Sequence, residues 1–330
     1  MRFVAALVLT ALLAGAPPAE AQSGQLRIYN WSDYIDPALL EEFTAETGIQ
    51  VTYDVYDGNE ILEAKLLAGS SGYDLVVPTT NFFARQIQAG IYETLDRSKI
   101  PNWKHLDPGL MERAAAYDPG NEHGFIYMWG TTLFAFNREM IEARMADAPI
   151  GSWRMLFDPA IVARFADCGV YMLDSADEAF PAALNYLGLD PNSTAPADLE
   201  KAAEVLRAIR PYVRKFHSSE NINALANGDI CLAHIYSGDA GIAAARAEEA
   251  GRGVAIEYTI PEEGALLWFD MMAMPKDAPN KASAYAFMNF ILEPERMARI
   301  TNFVTYPNAV PASLAFVEAA IRDNPATYPP

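Results

Sequence analysis

The feature that most constrains this chain is a regular alternation of short β-type runs and helical runs, punctuated by glycine and proline. Leu26-Arg27-Ile28-Tyr29 alternates as a strand does, and Pro37 opens a helical run through Phe43 that Gly48 ends. Ile49 to Val55 is a second strand. Asn59 to Leu67 reads as a helix stopped by Gly69, and Asn81 to Ala89 as a helix closed by Gly90. Between them Tyr73 to Pro78 is a short, almost wholly apolar strand, of the kind buried on both faces in a parallel sheet. Paired strands are expected at Phe125–Trp129 and Thr132–Asn137, and further strands at Gly169–Asp174, Ile230–Tyr236 and Val254–Ile260. Helices are expected at Asp198–Ile209, Ala282–Leu292 and Glu295–Thr301. This order predicts a layered α/β fold. A length of 330 residues without a Gly/Ser linker predicts two lobes between which the chain crosses more than once.

The N-terminus carries a different message. Arg2, an uncharged run from Phe3 to Ala14, and Ala19-Glu20-Ala21 together predict a cleaved secretory signal over residues 1–21 and an exported, periplasmic protein. The apolar run is shorter than the ~20 residues that span a bilayer. In an exported chain the two cysteines, Cys168 and Cys231, suit a disulfide, with two separate buried thiols as the other reading. Acidic residues outnumber basic ones 43 to 24, for a formal charge of −19. That balance argues against nucleic acid as a partner and leaves a cationic ligand open.

No catalytic motif stands out. The chain contains no Gly-x-Ser-x-Gly, His-Glu-x-x-His, phosphate loop or Cys-x-x-Cys. Gly251-Arg252-Gly253 precedes a strand and reads as a turn. The four histidines, His105, His123, His217 and His234, lie far apart and offer no metal-ligand spacing. Neither an enzyme nor a cofactor is called for, although a secreted hydrolase with a scattered triad stays open as a different class of function.

A more informative pattern lies at the strand ends, where open α/β sheets place their ligands. Trp31-Ser32-Asp33-Tyr34 follows the first strand, and Thr79-Thr80 the apolar central one. Tyr236-Ser237-Gly238-Asp239, Trp268-Phe269-Asp270 and Thr305-Tyr306 occur later. Carboxylates beside aromatic rings suit an organic cation. The carboxylate offsets the ammonium charge, and the ring face adds roughly 0.5–2 kcal/mol of cation–π attraction. A bare metal ion would call for closely grouped oxygen ligands without the rings.

These segments belong to a longer resemblance. Leu26–Tyr34 (LRIYNWSDY), Glu46–Ile49 (ETGI), Tyr73–Pro78 (YDLVVP) and Tyr127–Thr132 (YMWGTT) resemble the periplasmic polyamine-binding proteins. So do Leu184–Thr194 (LNYLGLDPNST), Phe216–Ser219 (FHSS), Leu225–Cys231 (LANGDIC) and Phe269–Pro275 (FDMMAMP). The likeness is strongest to the putrescine-binding receptors of ABC importers and runs from about Leu26 to the C-terminus. It implies a type II periplasmic-binding-protein-like fold, with discontinuous lobes at 26–131 plus 257–302 and at 132–256 plus 303–330. The chain would cross near Thr131 and return near Glu257–Ile260. The resemblance also implies a monomer that traps a polyamine and docks on an inner-membrane permease, and a bond between Cys168 and Cys231.

Position by position, the resemblance implies ligand-binding roles for Trp31, Ser32, Asp33, Tyr34, Thr79, Glu178, Asp239, Asp270 and Tyr306. Tyr236 stands where those receptors usually carry Trp, and Trp268 where Phe is common. Both would be pocket walls, so putrescine, spermidine, agmatine and a solute outside the amines remain alternatives on the same scaffold. Relatives continue beyond the position of Pro330.

Overall fold

Two parallel strands, β1 (Gln25–Trp31) and β2 (Gln50–Tyr56), begin the computed structural model, which describes residues 24–329. The expected secretory signal at 1–21 lies outside the described residues. The helix Pro37–Thr47 joins the pair and shows why this sequence alternates. Asp36 caps it by accepting the Ala38 N–H at 2.9 Å, and proline occupies its first turn. Gly48, at φ +73°, ends it with an N–H donated to the Thr44 carbonyl. Its buried face is Leu39 and Phe43.

The remaining strands are β3 (Leu75–Val76), β4 (Gly124–Asn137), β5 (Val170–Met172), β6 (Lys215–Phe216), β7 (Leu232–Tyr236), β8 (Ile256–Thr259) and β9 (Leu266–Ala273). They form one connected sheet in the order β2-β1-β3-β9-β4-β7-β5-β6, with β8 also paired to β4. The parallel group β2-β1-β3 lies at one end and β7-β5-β6 at the other. The antiparallel pair β9-β4 joins them.

Here the structure corrects one sequence expectation. Residues 124–137 are one continuous strand, not two paired strands. Gly130 sits inside the strand for a packing reason: a Cβ there would lie 2.8 Å from the Trp268 ring. One stretch of β4 pairs with β9, Gly124 to Thr132, and the other pairs with β7 and β8, Thr132 to Asn137.

Three apolar clusters follow from this layout. The first gathers β1, β3 and β9 with the helices Lys281–Ile291 and Pro294–Val304. The second and third lie on either side of β7 and the far half of β4, around Trp153 and Phe157 and around Leu225 and Ile235. The packing shifts two expected boundaries. Val304, Tyr306, Ala309 and Val310, placed by sequence with the second lobe, are buried in the first cluster. Residues 257–259, placed with the first, lie in β8 on the far end of β4. Only later does the chain rejoin the far side, where Ala326 enters the third cluster and Asn324 donates to the Tyr258 hydroxyl at 2.8 Å.

Cys168 and Cys231 are bonded, with Cα atoms 5.5 Å apart and a sequence separation of 63. The bridge ties the loop before β5 to the start of β7 within the second cluster. Closing a loop of that length restricts the unfolded chain by about 4 kcal/mol in the chain-entropy view. The paired substitution Cys168→Ser with Cys231→Ser is therefore expected to lower unfolding stability by roughly 2–4 kcal/mol in urea titrations. Unchanged stability would show that the bridge closes no loop that matters to the unfolded state.

Candidate functional site

The carboxyl ends of β1, β2 and β7 open on a cleft of about 520 Å³ between the first cluster and the other two. Ten of the eleven site residues expected from sequence line it: Trp31, Ser32, Tyr34, Thr79, Glu178, Tyr236, Asp239, Trp268, Asp270 and Tyr306. Asp33 does not. It sits at φ +52° in the turn after β1, and its carboxylate accepts from Arg246 at 2.7 Å on the helix Ser237–Ala250. The left-handed backbone turns the side chain away from its neighbours in the motif and onto the facing body.

Each buried acid is held by neutral donors. Asp270, on β9, accepts from the Tyr34 hydroxyl at 2.8 Å and the Thr79 hydroxyl at 2.6 Å. Thr79 caps the start of the helix Thr80–Gln88 by position, yet its side chain serves the cleft instead: it also accepts from Asn59 at 3.0 Å. Asp239 accepts from the Tyr306 hydroxyl at 2.6 Å, and its own N–H donates back to that oxygen at 3.1 Å. Glu178 accepts from the Thr132 hydroxyl, which in turn accepts from the Trp268 indole N–H at 3.2 Å.

Asp239 and Glu178 share a further device. Both are third residues of a helix, Ser237–Ala250 and Ala176–Tyr186, where the free N–H groups and the helix dipole favour a negative charge. A bare helix N-terminus would draw an anionic ligand. Here the chain's own carboxylate occupies that place and reverses the sign of what the cleft attracts. Gly238, next to Asp239 in the first turn of its helix, is required: a Cβ there would overlap the Tyr306 ring.

The rings complete the walls. Trp31 donates its indole N–H to the Val77 carbonyl at 2.9 Å and packs on Tyr56, ring centres 4.7 Å apart. Tyr236 meets Trp268 edge-on at 5.6 Å, Trp268 lies 5.6 Å from Tyr306, and Tyr306 stands edge-on to Tyr34 at 5.1 Å. The Tyr236-for-Trp and Trp268-for-Phe positions are thus in mutual contact, and the larger ring on one side faces the smaller on the other.

No lining residue is basic. Burial pushes the Asp270 and Asp239 carboxyls up to about 7, and Glu178 up to about 8, against the hydrogen bonds that hold each one down. The cleft therefore keeps three carboxylates at the edge of protonation with no cationic side chain in its lining, Arg246 outside it being the one guanidinium that acts on Asp239.

Four residues that reach the cleft besides Ile222 were missed in the sequence: Tyr56, Asp57, Ser218 and Ser219. Tyr56 and Asp57 follow β2 as Trp31 and Ser32 follow β1, with Tyr56 directly opposite Trp31. The strand-end argument applied to the second strand would have found them. Ser218 and Ser219 follow β6 within the Phe216–Ser219 motif. Ile222 carried no signal.

Comparison with known proteins accords with this geometry. Residues 38–329 match the family described as bacterial extracellular solute-binding protein. The chain is 52% identical over 325 residues to the putrescine-binding periplasmic protein SpuD of Pseudomonas aeruginosa, covering 98% of this chain and 88% of that one. It is 47% identical to the putrescine-binding periplasmic protein PotF of Escherichia coli, covering 98% and 89%. Among solved structures, a putative spermidine/putrescine ABC transporter protein from Listeria monocytogenes superposes with TM-score 0.83 at 33% identity, covering 93% of this chain and 90% of that one.

The buried acids set a pH dependence. Their folded-state values lie above the ordinary carboxyl range near 4. The folded protein therefore holds protons that the unfolded chain has released. The stability they contribute is complete below about pH 4 and is lost as pH rises through 7 to 8. His234 runs the other way: it is fully buried against Trp153, neither ring nitrogen has a partner, and burial holds its value down at about 3. Its stabilising effect is present above about 6.5 and fades as pH falls below that. The window from 6.5 to 8.5 thus isolates the carboxylates. Thermal melts of the ligand-free protein should shift to lower temperature across that window. A melt that rises or stays flat would mean the three acids are already ionised at neutral pH.

Proposed function

The chain belongs to the bacterial extracellular solute-binding protein family, and we propose that within it the protein is the periplasmic receptor of a polyamine ABC importer, with a putrescine-type diamine or polyamine as its solute. The observation that carries the reading is the set of carboxylates in a cleft without a basic side chain: Glu178 and Asp270, both buried, and the half-buried Asp239. A metal ion would need oxygen ligands grouped at one point, whereas these acids are spread among rings that favour methylene and ammonium groups. The names of the relatives point the same way.

In this reading Trp31, Tyr34, Tyr236, Trp268 and Tyr306 enclose the alkyl chain, and Asp239, Asp270 and Glu178 meet the ammonium groups. Thr79 and Ser32 supply hydroxyls at the rim. Asp33 acts differently from the others: paired with Arg246, it fastens one lobe to the other around the solute. In this reading the lobes are 26–131 with 266–310, and 132–265 with the last described residues, hinged where β4 passes Thr131; the strand pairing and the separate apolar clusters support that division. The protein works as a monomer without cofactor or catalytic step. It reaches the periplasm through the cleaved segment 1–21 and delivers its solute to a membrane permease. Acids contributed from both lobes give the ligand a higher affinity for the closed state, and that difference drives closure.

Isothermal titration of refolded, ligand-free protein with putrescine, cadaverine, agmatine, spermidine and spermine tests the reading. Micromolar or tighter binding of at least one amine is expected, about −8 kcal/mol or better. Asp270→Asn and Asp239→Asn should each weaken it by about 100-fold or more, because each leaves a desolvated ammonium without its counter-charge. Binding should also release protons near pH 7 and strengthen as pH rises toward 8, since the cation requires the ionised acids. Heat with none of the amines from a folded sample would reject the polyamine assignment.

A further inference from the structure

The cleft has a fourth carboxylate that its deep acids do not account for. Asp57 follows β2, lines the mouth of the cleft and accepts from the Ser32 hydroxyl at 2.9 Å. It differs from the other three acids in being exposed, and from nearby Asp33 in having no cation: Asp33 is neutralised by Arg246, whereas no Lys or Arg among the described residues pairs with Asp57. Across the mouth from it stand Ser218 and Ser219 of the other body. That lip is built rather than loose. The Ser218 hydroxyl accepts the Asp174 N–H at 3.3 Å, and the N–H groups of Ser219 and Glu220 donate to His217 Nδ1 at 3.2 and 3.1 Å.

Two facts combine. The cleft is not closed: it opens to solvent beside the exposed Asp57. The residues at its open end are hydroxyls and one carboxylate, whereas the rings stand deeper. A diamine is satisfied by the deep acids and leaves the mouth to water. A longer chain must pass out between Ser32 and Ser218, and its next ammonium then arrives beside Asp57.

Resting on the polyamine reading of this site, we infer that Asp57 with Ser32 forms an outer subsite for the additional ammonium of a linear triamine, and so sets how the protein ranks triamines against diamines. The pair is hydrated on its outer side. Its strength is that of an exposed ion pair and falls with salt, unlike the contacts of the deep acids.

The test is a cycle of two ligands and two proteins: putrescine and spermidine, each titrated into the wild type and into Asp57→Asn. The substitution preserves shape and leaves an oxygen for Ser32, so folding is not at stake. The expected result is a spermidine affinity lower by about three- to tenfold in the variant, with putrescine unchanged within twofold and the difference shrinking in added salt. Equal losses for both amines would overturn the inference, because Asp57 would then act on the cleft potential as a whole. No loss for either would overturn it as well. A wild type that binds neither amine would be recognised separately, as the failure of the polyamine reading itself, and would take the outer subsite with it. A wild type that binds putrescine but not spermidine rejects the outer subsite alone.

Discussion

Everything distinctive about this molecule follows from keeping carboxylates out of water without giving them a cation. An unanswered buried charge is costly by several kcal/mol. The protein limits that cost with neutral donors: Tyr34 and Thr79 at Asp270, Tyr306 at Asp239, Thr132 at Glu178. These donors pin the acids in place but do not neutralise them, and their carboxyls remain displaced toward neutrality. The arrangement is incomplete by construction, and on the proposed reading a positive ligand completes it and restores the stability that the empty protein gives up.

The fold is what makes such an arrangement possible. A strand leading directly into a helix places the first turn of the helix at the sheet's carboxyl edge. In β7 that junction puts Tyr236 on the strand and Asp239 in the helix, so ring and acid arrive together. On the first body β1 and β2 end side by side, and the Trp31 and Tyr56 rings meet at a tilt across the register. Neither body has a whole site. Tyr306 from the first cluster holds Asp239 of the facing helix, and Trp268 reaches Thr132 on the far half of β4.

Much of this was legible in the sequence, and the failures have physical causes. Strand–helix alternation, capping residues and stop glycines are local, and the helices Pro37–Thr47 and Asn59–Leu67 were read from them nearly to the residue. The residues that line the cleft were legible because acids and rings at strand ends are a local pattern too. What escaped depended on contacts remote in sequence. The break expected between Trp129 and Thr132 is absent because Gly130 makes room for Trp268, which is far along the chain. Asp33 looked like its neighbours because nothing beside it announced Arg246. Val304 to Val310 were assigned to the wrong core because an apolar run does not say which of two cores it enters. The lobe boundaries inherit that ambiguity.

The continuous strand β4 has a mechanical consequence. Both bodies hang on one hydrogen-bonded ribbon, with β9 beside it through Gly124–Thr132 and β7 and β8 beyond. Loops between separate sheets would let the bodies swing freely, with no restoring force. A paired ribbon bends and twists elastically while keeping its ladder intact. Any change in the angle between the bodies would then be a flexure, comparable to bending a leaf spring, in which no hydrogen bond of the ladder has to be remade.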